Sequence, residues 1–451
     1  MADELGAYQD RAQELLIELC RRPSVAAQHR GIEATAALVA TMLQDAGFTT
    51  QHLTYQGASP AIYGEQRGKG QFTLLLYNHY DVQPAEPLDL WDSPPFEPSV
   101  RDGKLFARGV ADNKGEIAAR LAAIHALRDL DGELPVTIRW IIEGEEEIGS
   151  VHFDDIVSQH PELLRADGCF WEGAGFDPAD RPILSLGAKG MLYIELSVRC
   201  MSSDAHSGAA GILPSAAWRL VQALAAIRGP DGRVKVPGFY EAVRPPTAEE
   251  RSALEDLTST EDQLKATYEI ERFVDDLTGV ALRERTAFSP TCNIAGLTGG
   301  YSGEGIKTVL PAEARAKMDF RLVPNQRATG VLESVRTHLD RQGYDDVQIS
   351  ALGHCNPTLT PIEDPFVRRV REVAASFSSA RPSIQPLIGG SLPLLEAMQR
   401  ISGASGLSAP TNASYWGSRG HAPNENIRLE DLRRSVAMNV HIVRGLGHPA
   451  V

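Results

Sequence analysis

Positive charge is in short supply. Against 59 Asp and Glu the chain carries 44 Lys and Arg, a formal net charge of −15 over 451 residues. No basic run relieves that deficit, which argues against a nucleic-acid or anionic-membrane surface. No apolar stretch approaches the ~20 residues a membrane span needs. The start, MADELGAYQD, is acidic and lacks a signal-type apolar region. The five cysteines (Cys20, Cys169, Cys200, Cys292, Cys355) are scattered, odd in number and free of CxxC pairs. They read as reduced thiols of a cytoplasmic protein. Internal repeats and low-complexity tracts are missing too. What is present is ordinary for a globular chain, 43% hydrophobic and 23% charged. The length suggests two or three domains at ~100–200 residues each, with a large core.

Hydrophobic patterning divides the chain. Helices are expected over Ala7–Arg21 and Gly31–Ala46, with Gly47 closing the second. Phe72–Tyr77 and Pro135–Gly144 are short apolar runs of the kind that form central strands covered on both faces. Between them Lys114–Leu127 reads as an amphipathic helix, with Ile117, Leu121 and Ile124 on one face and Glu116 and Arg120 away from it. Strand, helix, strand in that order predicts a parallel α/β sheet. From Met191 the pattern alternates: Leu192, Ile194, Leu196 and Val198 on one face, Tyr193, Glu195, Ser197 and Arg199 on the other. That is a half-exposed antiparallel strand. Glu313–Val323 and Asp345–Leu352 repeat the pattern, with helices expected at Pro214–Ile227 and Thr329–Arg341 and another over Asp364–Ser376. The reading is a discontinuous α/β domain, 1–187 and 358–451, interrupted by an α+β segment at 188–357. Residues 237–290, charged and Pro-containing, have no clear place.

Several apolar runs end on groups that could bind a metal. LLLYNHYDVQP places His79 and Asp81 at a strand end, where open α/β sheets put ligands. Residues i and i+2 of an extended segment share a face, so Asp81 could orient the His79 ring; a structural histidine fits the same position. Asp112, in ARGVADNKG, precedes a helix and could simply cap it. IIEGEEEIGS runs into Glu143, Glu145, Glu146 and Glu147, which are either a solvated acidic turn or a cluster offset by a cation. For Glu146 and Glu147 a general base beside a metal ligand is the alternative. CFWEGAG ends on Glu172, SSDAHSGAAG places His206 in a small-residue loop, and SRGHAPNENI places His421 in a Gly/Pro loop. Two histidines and several carboxylates on loops after buried strands suit two borderline divalent ions, zinc above all. His29, His52, His125, His152, His160, His338, His441 and His448 have no such setting, and His354 is undecided.

The stretches NHYDVQP, ARGVADNKG, EGEEEIGS, DAHSG, GIKTVLPAEARAKMDFRLVPNQ, GGSLP and GHAPNENI span residues 78–427. Together they resemble the di-zinc aminoacylase/carboxypeptidase/dipeptidase superfamily, which includes carnosinase-type dipeptidases, acetylornithine and succinyl-diaminopimelate deacylases and carboxypeptidase G. The resemblance implies an α/β catalytic domain with a central mixed sheet flanked by helices, plus an inserted α+β lid and dimerisation domain. It implies that His79 and Glu172 bind one zinc, Glu147 and His421 the other, and Asp112 both, with manganese or cobalt as alternatives. Asp81 would support His79, Glu146 would be the general base, and His206 would stabilise the oxyanion, often across a homodimer. Arg321 would grip a substrate carboxylate, and Gly390 and Ser391 would close on the substrate backbone.

The implied activity is hydrolysis of dipeptides or short peptides with a free C-terminal carboxylate, through a metal-bridged hydroxide. The alternative is an N-acyl-amino-acid deacylase or carboxypeptidase on the same site. The lid motifs resemble the carnosinase branch, whereas Glu172, where that branch commonly has Asp, resembles the deacylases and carboxypeptidases. That branch's lid histidine is absent from PTCNIAG, where Asn293 could donate to a substrate carbonyl. The expected partner is thus a small peptide or N-acyl amino acid, with no nucleic acid and no membrane.

Overall fold

A computed structural model describes residues 2–377 and 380–448. Its main sheet has eight strands. In order they are Thr49–Leu53, Ala61–Gln66, Thr137–Glu143, Thr73–His79, Gly168–Trp171, Gly406–Ser408, Ile183–Ser185 and Ser383–Gln385. The third to sixth are mutually parallel, so their C-terminal ends lie along one edge. Outside them the sheet includes antiparallel pairings, which makes it mixed.

The apolar run Thr73–His79 is central because both of its faces find cover. Leu74 and Leu76 point into a core built with helices Ala2–Cys20, Lys114–Asp131 and Leu429–Gly447. Leu75 and Tyr77 point to the opposite core, closed by Phe153–Ser158 and Leu394–Ser402. Period-two alternation thus loads both sides of one strand.

The helix at Lys114 departs from the expected amphipathic pattern. Every residue from Lys114 to Leu127 is buried, Glu116 and Arg120 included. Its charged side lies beneath the C-terminal edge of the sheet rather than in water, and the Glu116–Arg120 pair closes there at 2.7 Å.

A second, four-stranded sheet runs Thr291–Gly299, Glu313–Leu322, Gly190–Arg199, Gln348–Cys355, antiparallel throughout. Leu192, Ile194, Leu196 and Val198 pack on helices Ala216–Ile227 and Ala328–Arg341, as the alternation requires. On the other face Tyr193, Glu195 and Ser197 are half-buried and Arg199 is exposed. Residues 248–288 form three helices, the first opened by a capping box of Thr247 and Glu250. Leu254, Ala287 and Phe288 pack against Leu387, just beyond the edge strand Ser383–Gln385. Among the described residues no helix is long and apolar enough to cross a membrane.

Candidate metal centre

Parallel strands deliver the site. Thr73–His79 ends on His79, which pairs in register with Glu143 of the neighbouring strand. That neighbour continues into the turn Glu146–Ile148. On the other side, Gly168–Trp171 ends one residue before Glu172. Asp112 enters from the loop ahead of the Lys114 helix. His421 enters from a loop in which its own φ is 62°, a left-handed conformation that a histidine holds only when its surroundings impose it.

These side chains form two groups around one carboxylate. Asp112 Oδ1 lies 3.0 Å from His79 Nε2, and Glu172 Oε2 lies 3.1 Å from the same nitrogen. Asp112 Oδ2 lies 3.0 Å from His421 Nε2, which is 3.1 Å from Glu147 Oε2. Each trio's donor atoms lie within 4.8 Å of one another. Asp112 therefore divides its two oxygens between the groups, as a bridging ligand must. It does not cap the helix: Asn113 occupies the cap position, and no side-chain cap bond is made. Buried Glu172 Oε2 has no hydrogen-bond partner. Its nearness to His79 Nε2 without an aligned hydrogen bond is what two ligands aimed at one ion look like. The His and carboxylate donors suit zinc or a similar divalent ion.

Without an ion the protons must do the compensating. Burial pulls His79 down, but Glu172, Asp112 and Asp81 outweigh it and hold the imidazole well above its ordinary range. Hydrogen bonds to Asp112 and Glu147 push His421 up to about 10. Burial favours the neutral form of Asp112, yet its two histidine partners hold it below the usual carboxylate range. Glu146 is pushed well above the usual range, first by burial and then by Glu172.

The supporting contacts are specific. His79 Nδ1 donates to the Asp81 carbonyl at 3.0 Å, leaving Nε2 for the cluster. The Asp81 carboxylate does something the sequence did not suggest. Its two oxygens accept the Glu146 and Glu147 amides at 3.2 and 3.0 Å, so it holds the turn that carries both. Gln83, from the same motif, donates to Glu147 Oε2 at 2.9 Å. Glu425 was also missed, although GHAPNENI contains it. It accepts the amides of Gly109, Ala111 and Asp112 at 2.9, 2.9 and 3.1 Å and pairs with Arg108 at 2.8 Å. Beneath them Arg120 donates to the Tyr77 carbonyl and Asn78, and Glu116 accepts from Asn113 and Thr411. Two of the four strand-end glutamates are neither ligands nor solvated. Glu143 accepts from Tyr77 and Ser150, and Glu145 from the Ser59 amide and His152. Both are buried.

The remaining candidate residues lie on the second sheet and its junction with the first. Arg321 Nη1 donates to Ser391 Oγ at 2.9 Å. Asn293, opposite Asp319 on the neighbouring strand, donates to its carboxylate at 2.9 Å, and Asp319 lies 3.8 Å from Arg321 Nε. The Gly390 carbonyl accepts the Lys189 amide at 2.9 Å. Asn293, Arg321 and Ser391 thus form one polar chain. His206 stands apart: it is exposed, its ring accepts the Gly208 amide, and among the described residues it makes no hydrogen bond or ion pair with those of the metal centre.

The profile of peptidase family M20/M25/M40 matches residues 75–445. The Beta-Ala-His dipeptidase of Homo sapiens is 30% identical over 382 residues, covering 81% of this chain and 73% of that protein. The Cys-Gly metallodipeptidase of Candida albicans is 30% identical over 375 residues, covering 80% and 75%. Among solved structures, an M20 family metallo-carboxypeptidase from Sulfolobus solfataricus superposes with a TM-score of 0.91 at 34% identity, covering 97% of this chain and 99% of that one.

Proposed function

Because the chain belongs to peptidase family M20/M25/M40, we propose that it is a metal-dependent hydrolase of dipeptides or short peptides bearing a free C-terminal carboxylate. The observation that carries this reading is Asp112, whose two oxygens meet two separate His–carboxylate groups. His79, Asp112 and Glu172 would hold one divalent ion, and Asp112, Glu147 and His421 a second, with zinc the best match to the donors.

Bound there, the ions supply Lewis acidity and an activated water at neutral pH. The protein's own residues do the rest. Glu146, adjacent to ligand Glu147 on a turn fixed by Asp81, takes the proton of the attacking water and passes it to the leaving amine. Arg321 presents a planar fork to the substrate carboxylate, with Ser391 fixing one of its nitrogens. Gly390 and Ser391 border the substrate backbone, and Asn293 offers an amide donor beside them.

His206, exposed and without a contact to the metal-centre residues, is free to serve the site of a second copy, which is one support for a homodimer. A second is the outer strand Thr291–Gly299, an open edge with Ile294 and Leu297 exposed. The five free cysteines fit a reducing, cytoplasmic location.

A second reading is hydrolysis of N-acyl amino acids or C-terminal residues on the same centre. Glu172 and the likeness to the Sulfolobus carboxypeptidase favour it. The test is a set of dipeptides against N-acetyl-amino acids with the same C-terminal residue, with and without chelator. Chelator-sensitive cleavage of the dipeptides is expected. Cleavage confined to the acetylated compounds would select the second reading, and no cleavage of either would sink both.

A further inference from the structure

A cavity of about 460 Å³ opens directly off the metal centre, with Asp112 and Glu172 in its wall. Its apolar and aromatic wall residues include Trp171, Phe176, Ile183, Ile388, Leu392 and Tyr415. No lysine or arginine is among its lining residues.

Several polar groups of the wall are already engaged by protein partners. The Asp177 carboxylate accepts from the Ala179 and Arg181 amides, from Arg181 Nε and from the Thr258 hydroxyl. Gln385 accepts from Ser185, Asn412 accepts the Ser414 amide, and the Ser414 hydroxyl donates to the Gly173 carbonyl. An occupant therefore meets mostly apolar surface.

A second chamber of about 230 Å³ shares Asp177, Pro178, Ile183, Thr260 and Gln385 with the first. Leu254, Leu257, Leu264 and Leu282, from the helices of residues 248–288, line it. A small acyl group would leave this apolar volume unfilled and forfeit its contacts.

Arg321, Ser391, Gly390 and Asn293 are not among the lining residues. The substrate's carboxylate end therefore lies outside the cavity. Its acyl side, whose carbonyl must sit at the ions, is the part that the cavity adjoins.

Resting on the metal-centre and Arg321 reading above, we infer that the acyl half of the substrate carries a bulky apolar group, aliphatic or aromatic, that this cavity takes. The group is either the side chain of an N-terminal residue or the body of an N-acyl substituent.

The test holds the C-terminal residue at glycine. Leu-Gly, Phe-Gly, Ala-Gly and β-Ala-Gly form one arm, N-benzoyl-Gly and N-acetyl-Gly the other, all with the metal-loaded full chain. Within at least one arm the bulky members should exceed the small ones in kcat/KM by about tenfold or more, and the arm that responds identifies the source. Ile183→Trp, which enlarges a wall residue common to both chambers, should cut that preference about tenfold while small substrates stay within about threefold. Ile388→Phe makes the same test if the first variant does not fold. Equal or better turnover of the small members, with the metal-dependent activity intact, would overturn the inference and leave the proposed function standing. No cleavage in either arm would overturn both.

Discussion

Replacing Asp81 by Asn is a nearly isosteric change with a calculable cost. The native carboxylate is fully buried and accepts two amides, Glu146 at 3.2 Å and Glu147 at 3.0 Å, one on each oxygen. Asparagine keeps one acceptor and turns an amino group toward the other N–H. A hydrogen bond to a charged acceptor contributes ~1.5–3 kcal/mol, and leaving a buried donor unsatisfied costs ~1–3 kcal/mol. If only ~2 kcal/mol of that appears as misplacement of the turn, turnover falls about thirtyfold, since each ~1.4 kcal/mol is a factor of ten. In the proposed function the turn carries both the proton acceptor and a ligand, so two readouts must move together. Kcat/KM at saturating metal should drop about 10–100-fold, and chelator competition should show weaker binding of one ion. Asp81→Glu keeps the charge and should recover part of both. Asp81→Asn with kcat/KM and metal affinity both within about twofold of native would refute the assigned role of Asp81.

Other expectations follow from the same geometry. Glu146→Gln should lower kcat about 10²–10⁴-fold with metal content and melting temperature retained; unchanged turnover would remove Glu146 from the chemistry. Arg321→Ala should raise KM about 10–100-fold, with Lys a poor replacement because it lacks the fork, and amidating the substrate's C-terminus should abolish the difference between variant and native. Metal-free His421 is pushed up to about 10, above its ordinary ~6.5. The metal-free fold therefore gains stability from that proton below pH ~6.5 and loses it as pH rises through about 10. An ion must displace the proton, so affinity should rise with pH across that window. Calorimetry near neutral pH in buffers of different ionisation enthalpy should reveal proton release, and heats independent of buffer would contradict it.

The strands were legible in the sequence because their signals are local, and the candidate ligands because seven motifs resemble a known family. Within Thr73–His79, positions 74–77 are an apolar run that stops on Asn78 and His79, and that stop marks the edge of a parallel sheet where ligands bind. Motif order then paired residues far apart in sequence, such as Asp112 and His421. What was not legible depends on tertiary partners. Glu116 and Arg120 look like the wet side of an amphipathic helix, but they are buried in a network beneath the site. Glu143 and Glu145 look like part of an acidic turn, but Tyr77, Ser150, Ser59 and His152 satisfy them internally. Glu425 was indistinguishable from any loop glutamate until three amides and Arg108 were seen to converge on it. Residues 237–290 had no clear place in the sequence, and nothing there hinted that the helices of residues 248–288 would line a chamber sharing residues with the cavity beside the metal centre.

The most direct measurement is a metal titration of the chelator-stripped protein, following dipeptide hydrolysis and bound metal together. Two His–carboxylate groups sharing Asp112 predict that stripped protein is inactive and that activity returns in step with binding, saturating at two ions per chain. Full activity in the stripped protein, or saturation with a single ion bound per chain, would contradict the account.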